Sequence, residues 1–376
     1  MTKTFKLGGI FLITVVNLQI VRMIFYFIPL SDNLTGWLFS LIFQGLAMGL
    51  IPFLLYKAWV GNGKDYLKDF KLSQKINPLS YLLAVGIGFL VFYINIGAST
   101  VWYILLRSLG FTYPSNVGTI YSSPEVLIFE LLATAVLPAI FEELIDRGLL
   151  LAVLENEKND KKVVLIIGIM FGFLHQNIAQ FGPAVFGGIV MAYMAVKCRN
   201  IVPGMIVHFM NNAILTILNY STQVNNGLGR LYEAFQRFYS SNFLLTFATW
   251  AAAIWLIIVA LRAFDVMNRK YRQKSDPLYE AEKPPRPVYT GEHATPPFRE
   301  NTAGRTAFQD DYFFKIYGAP RGAKPAEATS PSPFKDTYTA AKKAAAVKWW
   351  EYGLLYCSIL SAAVVTLFTF IWGLLR

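Results

Sequence analysis

Long apolar runs, broken by short polar stretches, set the reading of this chain. They fall near residues 8–30, 36–56, 78–106, 126–147, 163–180, 182–198, 202–220, 243–264 and 348–374. A hydrocarbon core about 30 Å thick is crossed by roughly 20 apolar residues in a helix. The pattern therefore predicts an all-α, polytopic helical membrane protein with about eight spans plus a C-terminal ninth. Only QNIAQFGPA stands between the fifth and sixth runs, which suits a tight re-entrant turn.

The periodicity lapses after the eighth run, where Lys-Pro-Pro-Arg-Pro at 283–287, Pro296, Pro297 and Pro-Ser-Pro at 331–333 follow one another. Such a stretch buries too little apolar surface to offset its ordering entropy. The expected organisation is a helical membrane domain over 1–267 with its core at about 78–220, a Pro-rich cytoplasmic linker over 268–346, and a C-terminal transmembrane helix over 347–376. Within the linker, Tyr312 to Tyr317 form a docking segment, 339–348 a short helix into the last span, and the whole a surface for a protein partner. No internal repeat is visible.

Composition agrees with the pattern. In 376 residues, 55% are hydrophobic and 15% charged, with a mean hydropathy of +0.43, outside the range of soluble domains. The formal charge of +11 suggests nucleic acid only until it is mapped. Lys3, Lys6, Lys57, Lys64, Lys68, Lys158, Lys161, Lys162, Lys197, Arg199, Arg262, Arg269 and Lys270 all fall on one side of the predicted spans, so nucleic acid is excluded as a partner. That side is cytoplasmic by the positive-inside rule and includes the N-terminus; the first run, lacking a small-residue cleavage site, is a retained span. Short loops suit a bacterial plasma membrane. Cys198 and Cys357 show neither metal-ligand spacing nor a disulfide framework.

Candidate chemistry begins with FEELIDRG at 141–148, which places Glu142, Glu143, Asp146 and Arg147 near the end of an apolar run. Each charge in such a position costs about 2.5–3.5 kcal/mol on insertion scales, so the cluster marks a functional site by default. Glu143 and Arg147 are spaced i, i+4 with the acid first, the favourable order for an ion pair, and Asp146 is expected nearer solvent. Glu142 lies about 100° round the helix and stays available. Two of the three histidines sit inside apolar runs: His175 with Phe171 one turn earlier, and His208 with Asn212 one turn later. Helical rise puts Glu142 and His175 each about 18 Å from the cytoplasmic ends of their spans and His208 about 12 Å, so the three share the cytoplasmic half. Arg22 reads as a structural polar group, Glu130 as a packing or cavity-lining residue, and Gly182, Gly187 and Gly188 as close helix contacts.

Taken in order, EE-xxx-R, F-xxx-H and H-xxx-N resemble the motifs of the CPBP intramembrane proteases. These are the group of CAAX prenyl endopeptidases and of bacteriocin-processing or self-immunity proteins, also called the Abi family. The resemblance covers about 78–220. It implies an endopeptidase in which Glu142 and His175 activate a water, His208 and Asn212 stabilise the oxyanion, and Glu143, Arg147 and Phe171 support them. The implied substrate is a peptide or protein, with a lipidated CAAX-type tail or a bacteriocin-type peptide as candidates, met at the bilayer. Two imidazoles and a carboxylate (Glu142, His175, His208) are also a legitimate zinc set. Asn212 is a poor zinc ligand and HExxH is absent, so a metal-independent glutamate mechanism is the expected one. The rival classes are an ion- or proton-coupled transporter and a non-catalytic membrane scaffold.

Overall fold

A computed structural model describes residues 1–28, 33–112, 119–275 and 349–375. Every regular element among them is helical. Helix α1 (Lys3–Tyr26) is followed by α2, a continuous rod over Asn33–Trp59, a short α3 (Gly63–Asp69) and α4 (Leu79–Ser108). Next come α5 (Pro124–Val153), α6 (Asp160–Leu174), α7 (Ile178–Cys198) and α8 (Val202–Gln223). The chain closes with α9 (Gly227–Ser241), α10 (Phe243–Ser275) and α11 (Gly353–Leu374).

Seven of the helices among the described residues are long and apolar enough to cross a membrane, fewer than the runs suggested. The two that fall short are α6 and α8, and both carry candidate site residues. Helix α6 has 15 residues, a rise of about 22 Å, because the chain reverses at His175 instead of continuing to 180. Helix α8 has length enough, but His208, Asn211, Asn212 and Asn219 dilute its apolar character. Helix α10 runs to Ser275, so residues 268–275 are helix and not linker. The rest of the expected linker, with its docking segment, its short helix and His293, lies outside the described residues.

Large apolar side chains lie outside and charge lies within. Leu244, Phe247, Trp255 and Leu256 on α10 are exposed, as lipid-facing residues are, whereas the bulkiest fully buried side chain is Arg147. Helix α9 is strongly amphipathic, with Leu228, Leu231, Phe235 and Phe238 exposed along one face, the habit of a helix lying in the membrane interface.

Helices α6 and α7 pack closest where glycines remove the side chains between them. A Cβ at Gly188 would stand 2.9 Å from the Gly168 carbonyl oxygen and 3.0 Å from the Phe171 Cβ, so only glycine lets α7 approach the helix that ends in His175. Helix α11, far along the chain, packs on α1, α6 and α7. Gln19 and Ser361 exchange hydrogen bonds of 2.8 and 2.9 Å across the α1–α11 contact, and Thr112 donates its backbone N–H to the Gly373 carbonyl at 2.9 Å.

Two spans widen into π-helix, α2 over Leu41–Leu50 and α5 over Leu132–Val136 and again over Leu144–Leu150. Proline explains two of the three. Pro52 and Pro138 offer no N–H to the carbonyl four residues back and crowd it, so the preceding turn opens. Ile51 then donates to the Leu46 carbonyl and Leu137 to the Leu132 carbonyl, each five residues back.

Candidate active site

Helix α5 supplies the carboxylates. The Glu143 side chain is fully buried and accepts from Arg147 Nη1 at 2.7 Å, the i, i+4 pair expected from the spacing. Arg147 Nη2 donates to the Gly188 carbonyl at 3.0 Å, which ties α5 to α7 at the glycine contact. Asp146 is also fully buried, with Oδ2 3.3 Å from Arg147 Nη1, and not near solvent as expected. The expectation rested on an α-helical wheel; the π turn over 144–150 rotates Asp146 inward beside the guanidinium. A buried carboxylate needs such a cation.

Glu142 points the other way. Its side chain keeps 13% of its surface accessible, where Glu143 keeps none. Oε1 accepts from Gln44 Nε2 of α2 at 2.7 Å, and Oε2 lies 3.9 Å from His208 Nε2. At 3.9 Å the two atoms are too far apart for a direct bond and spaced for a bridging group.

Each imidazole is fixed through Nδ1. His208 Nδ1 stands 3.1 Å from Glu143 Oε1. Arg147 already pairs with that carboxylate as an anion, so the ring nitrogen donates. His175 Nδ1 is 2.7 Å from the Phe171 carbonyl, which can only accept. Both rings thus carry a proton on Nδ1 and turn Nε2 outward. Phe171 touches both rings, edge-to-face with His175 at 4.9 Å and with His208 at 5.5 Å, and Arg147 Cζ lies 4.3 Å above its ring. One aromatic ring therefore packs on both imidazoles and covers the buried guanidinium.

Asn212 meets the site differently from the histidines. Its Nδ2 donates to the Thr134 carbonyl at 2.9 Å, the carbonyl that Pro138 deprives of its helical donor. Its Oδ1 accepts from Asn211 at 2.9 Å, and Asn211 in turn accepts from Asn95 of α4 at 3.0 Å. Asn212 thereby locks α8 to the π turn of α5, one helical turn from His208.

The reversal carrying His175 is held from several directions. Gln176 adopts a left-handed φ of 48°, and Asn177 caps α7 through the Ala179 N–H at 3.0 Å. Arg22 of α1 donates to the His175 carbonyl at 2.5 Å, Trp102 of α4 to the Ile178 carbonyl at 2.7 Å, and Thr369 of α11 accepts from the Ile178 N–H at 3.0 Å. Sequence reasoning missed Gln44, Trp102 and Thr369. Gln44 alone left a trace, as the single amide in LIFQGLAMGL. Glu130, the other acid of α5, accepts from Trp37 at 3.0 Å and is a packing group.

Glu142, His175 and His208 have the right donor types for zinc. Among the described residues no three His, Cys, Asp or Glu side chains are set to hold a metal ion together.

The fold and site define a polytopic all-α membrane protein with an acid–imidazole cluster set among its buried helices. Residues 124–214 match the model of the type II CAAX prenyl endopeptidase Rce1-like family, a segment that contains Glu142, Glu143, Arg147, Phe171, His175, His208 and Asn212. The match covers about a quarter of the chain; over that segment the chain is similar to the CPBP and CAAX proteases, and the likeness supports an intramembrane protease at the level of the family. No curated protein and no solved structure matches the chain.

Proposed function

We propose that the protein is an intramembrane endopeptidase of the glutamate type, hydrolysing a peptide bond near the cytoplasmic face of a bacterial plasma membrane, with its N-terminus in the cytoplasm. The observation that carries this reading is the division between the two adjacent glutamates. Glu143 is consumed by Arg147 and His208, while Glu142 is steadied by Gln44 and turns an accessible Oε2 toward the outward Nε2 of His208.

In this reading a water held by Glu142 Oε2 and His175 Nε2 attacks the scissile carbonyl carbon as Glu142 takes its proton. The oxyanion is met by His208 Nε2, donating as imidazolium with Glu143 as counter-ion, and by the second N–H of Asn212. Collapse breaks the C–N bond, and the proton on Glu142 passes to the leaving amine. General base catalysis contributes about 10²–10⁴-fold, and each oxyanion donor about 10²–10³-fold. No step passes through a metal. The substrate class is a peptide or protein with a CAAX-type or bacteriocin-type cleavage site.

Cleavage of such a peptide in detergent by wild type, Glu142→Ala, His175→Ala and His208→Ala tests the assignment. Loss of at least about 10²-fold in kcat for each variant is expected; wild-type rates in all three would overturn it. Full activity after chelation, with no metal by elemental analysis, is the expected result for the glutamate mechanism, and loss restored by zinc would replace it.

A further inference from the structure

Arg22 is the cation of the membrane interior that the site as described leaves underused. It lies four residues before Tyr26, the end of α1. An arginine there ordinarily extends its side chain toward the nearby interface. Here it is partly buried and bends to the reversal between α6 and α7, where Nη1 donates to the His175 carbonyl at 2.5 Å. Among the described residues no acidic side chain pairs with it. Arg147, by contrast, is enclosed by Glu143, Asp146, the Gly188 carbonyl and the Phe171 ring.

Supporting a carbonyl at the end of a helix takes one donor and no net charge, and a glutamine would serve. A guanidinium carries five N–H groups in a fixed fork suited to a carboxylate, and one of them is used. The hydrogen bond to His175 brings the fork within about 10 Å of that residue's ring, the length of some three extended residues.

We propose that Arg22 is a specificity residue that binds a carboxylate of the substrate, either its C-terminal carboxylate or an acidic side chain, about two to three residues from the peptide bond presented to His175. The inference rests on the endopeptidase reading for the identity of the ligand, and on Arg22 itself for its chemistry.

The test uses the full chain in detergent and three fluorogenic peptides: one with a farnesylated CAAX-type tail as the free acid, the same tail as the C-terminal amide, and an amide with Glu placed in the last three residues. Wild type is expected to cleave the acid about 10- to 100-fold better in kcat/KM than the amide, the range of a charge-assisted hydrogen bond, mostly through KM. Arg22→Gln keeps a donor for the His175 carbonyl and is expected to lose the preference for the acid, the ratio of acid to amide cleavage falling to about one whatever its rate on the amide. Arg22→Lys, which keeps the charge but not the fork, is expected to fall between them. Recovery by the Glu-bearing amide assigns the carboxylate to a side chain, and failure to recover assigns it to the C-terminus. Equal cleavage of all three peptides by wild type, or an equal loss on all three in Arg22→Gln, overturns the inference and leaves the protease standing. If wild type cuts none of the peptides, the CAAX-type substrate fails, and binding of the acid and amide forms decides Arg22 alone. Retention of the acid that Arg22→Gln abolishes supports it, and equal retention of both forms refutes it.

Discussion

Replacing Arg147 by Met removes a cation that three helices depend on while keeping most of the side chain's volume. The substitution deletes the 2.7 Å pair with Glu143, the 3.3 Å approach to Asp146, the 3.0 Å bond to the Gly188 carbonyl and the contact with the Phe171 ring. What remains is two buried carboxylates with no guanidinium between them, and removing one partner of a buried pair costs about 3–5 kcal/mol. The orphaned carbonyl adds about 1 kcal/mol. The expected loss, about 4–6 kcal/mol, is a large share of a typical stability of about 5–15 kcal/mol. Reversible unfolding by SDS titration in mixed micelles measures it directly. Glu143→Gln combined with Arg147→Met should recover part of the loss, because it neutralises one stranded charge, so the two changes are non-additive. A loss below about 1 kcal/mol for the single variant, the value of an exposed pair, would mean that Glu143 and Arg147 are not the buried couple described.

Three further outcomes follow from the same geometry. Gln44→Leu frees Glu142 Oε1 from its 2.7 Å donor and should lower kcat at least about tenfold with little change in KM, whereas Gln44→Glu, which sets a second carboxylate against Glu142, should be worse; unchanged kcat in both removes Gln44 from the site. Gly188→Ala forces α7 away from the Gly168 carbonyl and from Phe171 and should cost about 1–3 kcal/mol together with activity. Gly86→Ala, which meets nothing within 4 Å on α4, should be neutral or stabilising; equal effects at the two positions in thermal unfolding would refute the close-contact argument. Pro138→Ala returns a donor to the Thr134 carbonyl, releases Asn212 and tightens the π turn ahead of Glu142; turnover should fall while thermal stability holds or rises, and unchanged turnover would show that the wide turn does not position the glutamate.

What could be read without coordinates depended on range. The Glu143–Arg147 pair, and Phe171 one turn before His175, follow from i, i+4 spacing, and the structure has both. Helical rise and the family motifs bring His175 and His208 to one site, but the contact of Phe171 with His208 was not legible, since spacing within a helix says nothing of a neighbour on another. Asp146 was misplaced because a wheel of 3.6 residues per turn does not hold through a π segment, and nothing between Leu144 and Leu150 announces one. The fifth span reaches 174 and not 180: QNIAQFGPA marks a tight turn in the sequence, and the reversal falls at its first residue, a left-handed Gln176, a residue with little preference for that conformation. Gln44 meets Glu142 across 98 positions of sequence, beyond the reach of any local pattern.

The cap on the Ile178 amide comes from Thr369, 191 residues further along the chain. During synthesis α6, α7 and α8 emerge and insert long before that threonine exists, and domains tend to organise in the order they are made. The turn bearing His175 must therefore pass through a period without its C-terminal support. Completion of the site is tied to arrival of a helix outside the family-matched segment, so a chain stopped in the intervening stretch would carry Glu142, His175 and His208 and still lack that final bond.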